Sequence, residues 1–225
     1  SAAGVKKLIV DLRYNGGGDV ATANYITNLL APASANNQLM NDYVINNTLW
    51  SEGWGFFIFY PEYFNKTNSL DPDRVYFLVT NGTASASELL INNLTPYMDV
   101  KLIGDGNTYG KPVGYFGWDI MGVDLYAVSF QTLNANNFGD FYNGMPVDQY
   151  ARDGLNKDFG DPQEEMTAHA LYHVQHGTFP AVSGAGLDMS TSARIRTRDN
   201  PDMNKRLDHR SPKAMFDFRK VKKDE

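Results

Sequence analysis

Apolar residues along this chain fall into short runs broken by glycine-rich or polar stretches, and the runs predict strands alternating with helices. Residues 5–13 (VKKLIVDLR) read as a buried strand that ends in Tyr14-Asn15-Gly16-Gly17-Gly18, and a helix follows over 19–30, stopping near Pro32. Residues 75–79 (VYFLV) form a second strand that turns into an apolar-periodic helix, and 100–104 make a third apolar run. Residues 115–120 and 124–130 alternate well enough for a hairpin turning at Met121-Gly122. Between the first two strands lies 33–70, rich in Asn, Tyr, Phe and Trp. We read it as an insertion with one strand over 55–60, over or beside the site. The last helix has Asp161 as N-cap, Pro162 at the first helical position, Glu164 completing a capping box and Gly177 as its stop. Met166, Ala170, Leu171 and Val174 form its expected buried stripe, with His169, His173 and His176 beside it. Two histidines four apart can bind zinc, but His-Glu-x-x-His is missing, so a plain flanking face is the reading and no metal is expected.

Two junctions carry the candidate chemistry. At the first, Thr83-Ala84-Ser85-Ala86-Ser87-Glu88 puts a hydroxyl where a strand becomes a helix. Serine is a poor nucleophile unless a base lies within hydrogen-bond reach. Lys111, which follows the third apolar run, can be that base if burial lowers its pKa from ~10.4, because desolvation disfavours the ammonium form. The helix start also offers free amides and a positive dipole end where an oxyanion would form. Taken alone, the same residues read as an ordinary helix capped by Ser85 or Thr83. At the second junction, three glycines after a strand mean backbone in unusual conformations or in close approach to something else. Their spacing does not match the Gly-x-Gly-x-x-Gly of a dinucleotide site.

Taken together, Asp11 to Gly18 (DLRYNGGG), Thr83 to Glu88 (TASASE) and Asn107-Thr108-Tyr109-Gly110-Lys111 resemble the signatures of the C-terminal processing (tail-specific) serine protease family. The resemblance runs in order over roughly residues 4 to 175. It implies a Ser-Lys dyad with Ser85 as nucleophile and Lys111 as general base. The oxyanion hole would be formed by the amides of Ala86 and Gly18, with Gly17 as second choice. Glu88, one helical turn after Ser85, would orient Lys111 or hold its charge. The implied fold is α/β, a ClpP/crotonase-like spiral core with a β-rich C-terminal half. No cofactor is implied. Two features depart from the family pattern: the loop before the lysine is one residue longer, and Tyr115 stands where members often carry a glutamine. The PDZ domain usual in the family has no counterpart here. The chain opens almost directly on a buried strand, which suggests a piece of a longer protein.

Composition narrows the classes. With 225 residues the chain fits one large domain, here residues 1–180, followed by a basic tail over 181–225. That tail holds eleven Lys/Arg against seven Asp/Glu, which leaves the first 180 residues at a net −10. An acidic body argues against nucleic-acid binding. The tail reads as a solvated arm. No run approaches the about 18 apolar residues of a spanning helix, so membrane association would come only from parts absent from this chain. Zero cysteines exclude disulfides, zinc-thiolate sites and a thiol nucleophile. The family resemblance implies an extracytoplasmic place, in the periplasm or cell envelope, and a polypeptide substrate. Three functions therefore compete: a Ser-Lys endopeptidase, a non-catalytic peptide- or ligand-binding member of the same fold, and a hydrolase of non-peptide esters or amides.

Overall fold

The apolar run at 75–79 is buried on both faces, and the first of two sheets is built around it. The computed structural model describes residues 4–181 apart from Leu155. Within them the order is β1 (Lys7–Asp11), α1 (Val20–Leu30), β2 (Leu39–Ile45), α2 (Asn47–Ser51), α3 (Trp54–Phe57), β3 (Glu62–Tyr63), β4 (Arg74–Val79), α4 (Ala86–Leu94), β5 (Asp99–Gly104), β6 (Val113–Ile120), β7 (Val123–Asn134), β8 (Gln149–Tyr150) and α5 (Glu165–His176). The first sheet runs β1-β4-β5-β8, with neighbouring strands parallel. Side chains alternate across a strand, so Val75, Phe77 and Val79 pack on Leu90, Ile91 and Leu94 of α4, while Tyr76 and Leu78 pack on Ile103 and on Met166 and Ala170 of α5. A strand covered on both faces needs apolar residues at every position, which is why it reads as an unbroken run. The fold is mixed α/β, as expected.

The second sheet, β3-β2-β7-β6, is antiparallel. Its β6–β7 hairpin turns at Met121 and Gly122, as the alternation predicts. Tyr43, Phe59, Phe116 and Phe130 on this side close over Val20 and Ala23 of α1 and Ala86 and Leu89 of α4. A second core therefore begins one residue after Ser85.

The strand expected over 55–60 is instead helical at 54–57, and the 33–70 segment supplies β2 and β3 on either side of it. Aromatic residues favour strands only where they fit a pleated, half-buried surface. Here Trp54 stacks on Phe116, while Phe59 is buried against Tyr43 and Phe130 and Phe56 is exposed. That burial has no period of two. β2 was missed because it contains Asn41 and Asp42, residues depleted in strands. Asn41 is nonetheless buried, and its Oδ1 accepts from Asn93 Nδ2 of α4 at 3.2 Å.

α5 also begins later than its punctuation suggests. Its N-cap is Glu164, whose carboxylate accepts from the amides of Met166 and Thr167 at 3.2 and 3.0 Å. Asp161 instead closes the turn before the helix by accepting from Gln163 N at 2.8 Å. A tertiary partner makes the choice. The Arg13 guanidinium at the end of β1 is buried, 3.0 Å from Glu164, 2.6 Å from Asp11 and 3.4 Å from Asp153. Burial lowers its pKa, but the hydrogen bond to Asp11 and the three carboxylates more than offset this and hold it above its ordinary value. Gly177 ends the helix as expected. The buried stripe is Met166, Thr167, Ala170 and His173, with Val174 exposed. His173 is therefore not a flanking residue: its Nδ1 lies 2.8 Å from Tyr76 Oη inside the fold. The tail at 182–225 lies outside the described residues.

Breaking a buried ion cluster from one side leaves uncompensated charge. Arg13→Met should therefore destabilise the domain by about 3–5 kcal/mol, read as a lower urea midpoint with an unchanged m-value. A midpoint within error of the unaltered chain would show that the cluster contributes nothing.

Candidate active site

Ser85 sits at the junction of β4 and α4 with φ 58° and ψ −116°, a region a non-glycine residue rarely occupies. Such strain costs on the order of 1–3 kcal/mol and persists only where the surroundings over-determine it. Here they do. The Ser85 amide donates to Glu88 Oε2 at 2.8 Å, while Thr83, immediately before the turn, donates through Oγ1 to Leu12 O at 2.8 Å. A sharp strand-to-helix turn carrying a serine is the arrangement α/β hydrolases use to present a nucleophile. Ser85 is buried, with 4% of its surface exposed.

The glycine turn after β1 lies directly against this elbow. Asn15 fastens it: its carbonyl accepts from Ala84 N at 3.1 Å, and its side-chain oxygen accepts from Gly17 N and Ser87 Oγ, both at 3.0 Å. A Cβ on Gly17 would stand 2.7 Å from Ala84 O and 2.8 Å from both Ala86 N and Ser85 Cβ, so only glycine fits there. Gly18 has open space around it instead. Gly17 thus provides the close approach, with its own amide committed to Asn15. The amide of Gly18 and the first-turn amide of Ala86 make no hydrogen bond among the described residues.

Glu88 joins the elbow to the lysine loop. Its side chain is fully buried and accepts four hydrogen bonds: Thr108 Oγ1 at 2.6 Å and Gly110 N at 2.7 Å on Oε1, Ser85 N at 2.8 Å and Lys111 N at 2.9 Å on Oε2. One carboxylate therefore holds the backbone of Ser85 and of Lys111 together across 26 positions of sequence. Thr108 extends the link by accepting from Met145 N at 2.7 Å.

The Lys111 amine lies over the face of the Tyr115 ring, 4.2 Å from its centroid. Burial pushes its pKa below the ordinary lysine value, and the nearby Glu88 charge partly opposes this. All six residues singled out from sequence, Ser85, Lys111, Glu88, Ala86, Gly18 and Gly17, lie along this Glu88-centred arrangement or in the turn pressed against it. Asn15, Ser87 and Thr108 were not singled out, though each falls inside one of the quoted motifs. Their role as acceptor or donor between motifs needs the third dimension. Among the described residues no group of three or more His, Asp or Glu could hold a metal ion, and no helix is long and apolar enough to cross a membrane.

On this mixed α/β fold a strained serine elbow, two free amides and a half-buried lysine are gathered around one buried carboxylate. Residues 1–132 match the model for peptidase family S41, and the chain belongs to that family. Among solved structures it is similar to a protein from Bacteroides fragilis described as an S41 protease, with 29% identity and a TM-score of 0.69 over 78% of this chain and 46% of that one. It spans less than half of that relative's length. A looser likeness is to the photosystem II D1 C-terminal processing protease, with 22% identity and a TM-score of 0.48 over 65% of this chain and 35% of that one. No curated protein matches the sequence.

Replacing the hub carboxylate by an amide turns one oxygen into a donor facing two N–H or O–H donors. Glu88→Gln should cost about 2–6 kcal/mol, since each of the two buried donors left unmatched costs ~1–3 kcal/mol. Hydrogen exchange should speed up at the amides of Gly110 and Lys111 before it does so in β4. Unchanged protection in the 105–111 loop would remove Glu88 from its place as the hub.

Proposed function

We propose that this chain carries the catalytic site of a serine endopeptidase of the C-terminal processing type, working through a Ser85–Lys111 dyad. The observation that carries the reading is the shared carboxylate of Glu88, which bonds the amides of both residues at 2.8 and 2.9 Å. The bond to Ser85 N is the capping-box contact of α4, but a helix cap has no need of the second bond, to Lys111 N, whereas a dyad needs its two members in one frame. The lowered Lys111 pKa supports the role of base, since only the neutral amine can accept a proton.

In this mechanism, neutral Lys111 takes the Ser85 hydroxyl proton as Oγ attacks the peptide carbonyl carbon. The carbonyl oxygen gains the negative charge and is met by the N–H groups of Ala86 and Gly18. Collapse of the adduct breaks the C–N bond, and Lys111 returns its proton to the leaving amine. Water, deprotonated by the same amine, then releases the acyl group and restores Ser85. Glu88 keeps the frame and never touches substrate. The substrate is a polypeptide, and no cofactor, metal or nucleic acid takes part. We assign the work to the periplasm or cell envelope, following the family. Residues 1–180 would be the catalytic unit, with 33–70 as part of it.

Labelling with a fluorophosphonate probe, alongside digestion of casein and of small p-nitrophenyl esters, tests this. Ser85→Ala should lose all labelling and turnover while staying folded, its urea midpoint lowered only by the loss of the capping hydroxyl, about 0.5–2 kcal/mol. Lys111→Arg should also be inactive, because arginine stays protonated. Activity should rise with pH through the lowered Lys111 pKa, below the ordinary ~10.4, as the base form fills. Labelling that survives in Ser85→Ala would overturn the nucleophile, and a near-normal Lys111→Arg would overturn the base. Ester hydrolysis with every peptide left intact would select the non-peptide hydrolase. No labelling in the unaltered chain would select the binding protein.

A further inference from the structure

Lys111 lies two residues before β6 and Tyr115 is the third residue of that strand, and the lysine amine stands over the face of the Tyr115 ring at 4.2 Å. That placement is reinforced from the neighbouring strand. The β6–β7 register shifts between Gly114 and Tyr115, pairing them with Phe130 and Val128 so that Ser129 bulges out. Tyr126 pairs with Gly117, where a Cβ would lie 2.7 Å from the Tyr126 ring. The missing side chain lets that ring lie across the strand and meet Tyr115 edge-on at 5.6 Å. Gly117, Tyr126 and the bulge thus hold the Tyr115 ring flat beneath the lysine amine.

Resting on the Ser85–Lys111 reading above, we propose that Tyr115 is a positioning residue whose ring face seats the charged Lys111 amine and releases it on deprotonation. The electron-rich face of an aromatic ring attracts a cation far more than a neutral amine. The seat therefore fixes where the lysine waits in its protonated form and helps set the pH at which it becomes a base. Three influences meet on the amine. Burial lowers its pKa, and the Glu88 carboxylate from α4 raises it. The ring of Tyr115 on β6 also favours the charged form. Behind the ring stands Tyr126 of β7, whose hydroxyl lies 3.3 Å from Asp124. Burial pushes the Tyr115 hydroxyl up, with the Tyr126 charge adding to this, so it is neutral across the working range.

The signs separate a cation seat from simple cover. Tyr115→Leu keeps an apolar lid but removes the ring face, so the charged form loses its support and the pKa falls. Tyr115→Phe keeps the face and should behave like the unaltered chain. Two readouts follow: the pH dependence of fluorophosphonate labelling at Ser85, and the titration of the Lys111 ¹³Cε signal in a Ser85→Ala background. Both midpoints should move down by about 0.5–1 pH unit in Tyr115→Leu, the size a cation–π contact implies, and stay in place in Tyr115→Phe. Equal midpoints in Tyr115→Leu and the unaltered chain, or a rise, would overturn the seat. A ¹³C titration that shifts as expected while no form of the chain is labelled supports the seat and brings down the dyad alone.

Discussion

The carboxylate of Glu88 is the constraint on which the rest of the site depends. A buried, charged acceptor is tolerable only when its lone pairs are filled. Here four donors fill them, drawn from the serine elbow and from the loop that delivers the lysine. The cost of leaving the charge unmatched is what holds two segments in one geometry, and Ser85 keeps its strained φ because releasing it would strip Glu88 Oε2 of one of its two donors. The same logic recurs at Asn15, which fastens the glycine turn to the elbow through its carbonyl and its side chain together.

Around that polar centre the fold divides its apolar surface in two. The parallel sheet is sandwiched between α4 and α5, and the antiparallel sheet closes over the start of α4 with an aromatic cluster. Ser85 lies at the seam, where β4 leaves the first core and α4 enters the second. A serine placed there is held by rigid elements on both sides, while Lys111 arrives from the base of the hairpin. Arg13 performs the corresponding task at the other end of the glycine turn, tying β1 to the first turn of α5 through Glu164. The turn that presses on Ser85 is thus anchored from both directions.

The elements legible in sequence are those whose burial repeats a simple period. β4 is apolar from Val75 to Val79 because both of its faces are covered there, the hairpin alternates, and α1 is capped by Asp19, whose side chain accepts from Thr22 N at 2.9 Å. β2 and the true start of α5 were hidden for one reason: their polar residues, Asn41 and Glu164, are buried because distant partners satisfy them. Local propensity scores such residues as exposed. The aromatic run at 54–60 misled in the opposite sense, since its side chains serve different neighbours instead of one face.

Sequence by itself determined the family and the mixed α/β class, and it nominated the short list of residues on which the proposed chemistry rests. Those depend on residue types at fixed spacing: a hydroxyl at a strand-to-helix junction, glycines after a strand, a lysine after the next strand. The tertiary structure alone decided how they divide the work. Gly17 gives up its Cβ so that the turn can touch Ser85, while Gly18 keeps a free amide. Glu88 bonds the backbone of Lys111, and the lysine amine comes to rest over Tyr115. No pattern along the chain carries these assignments, because each is a distance between groups that only folding brings within a few ångströms.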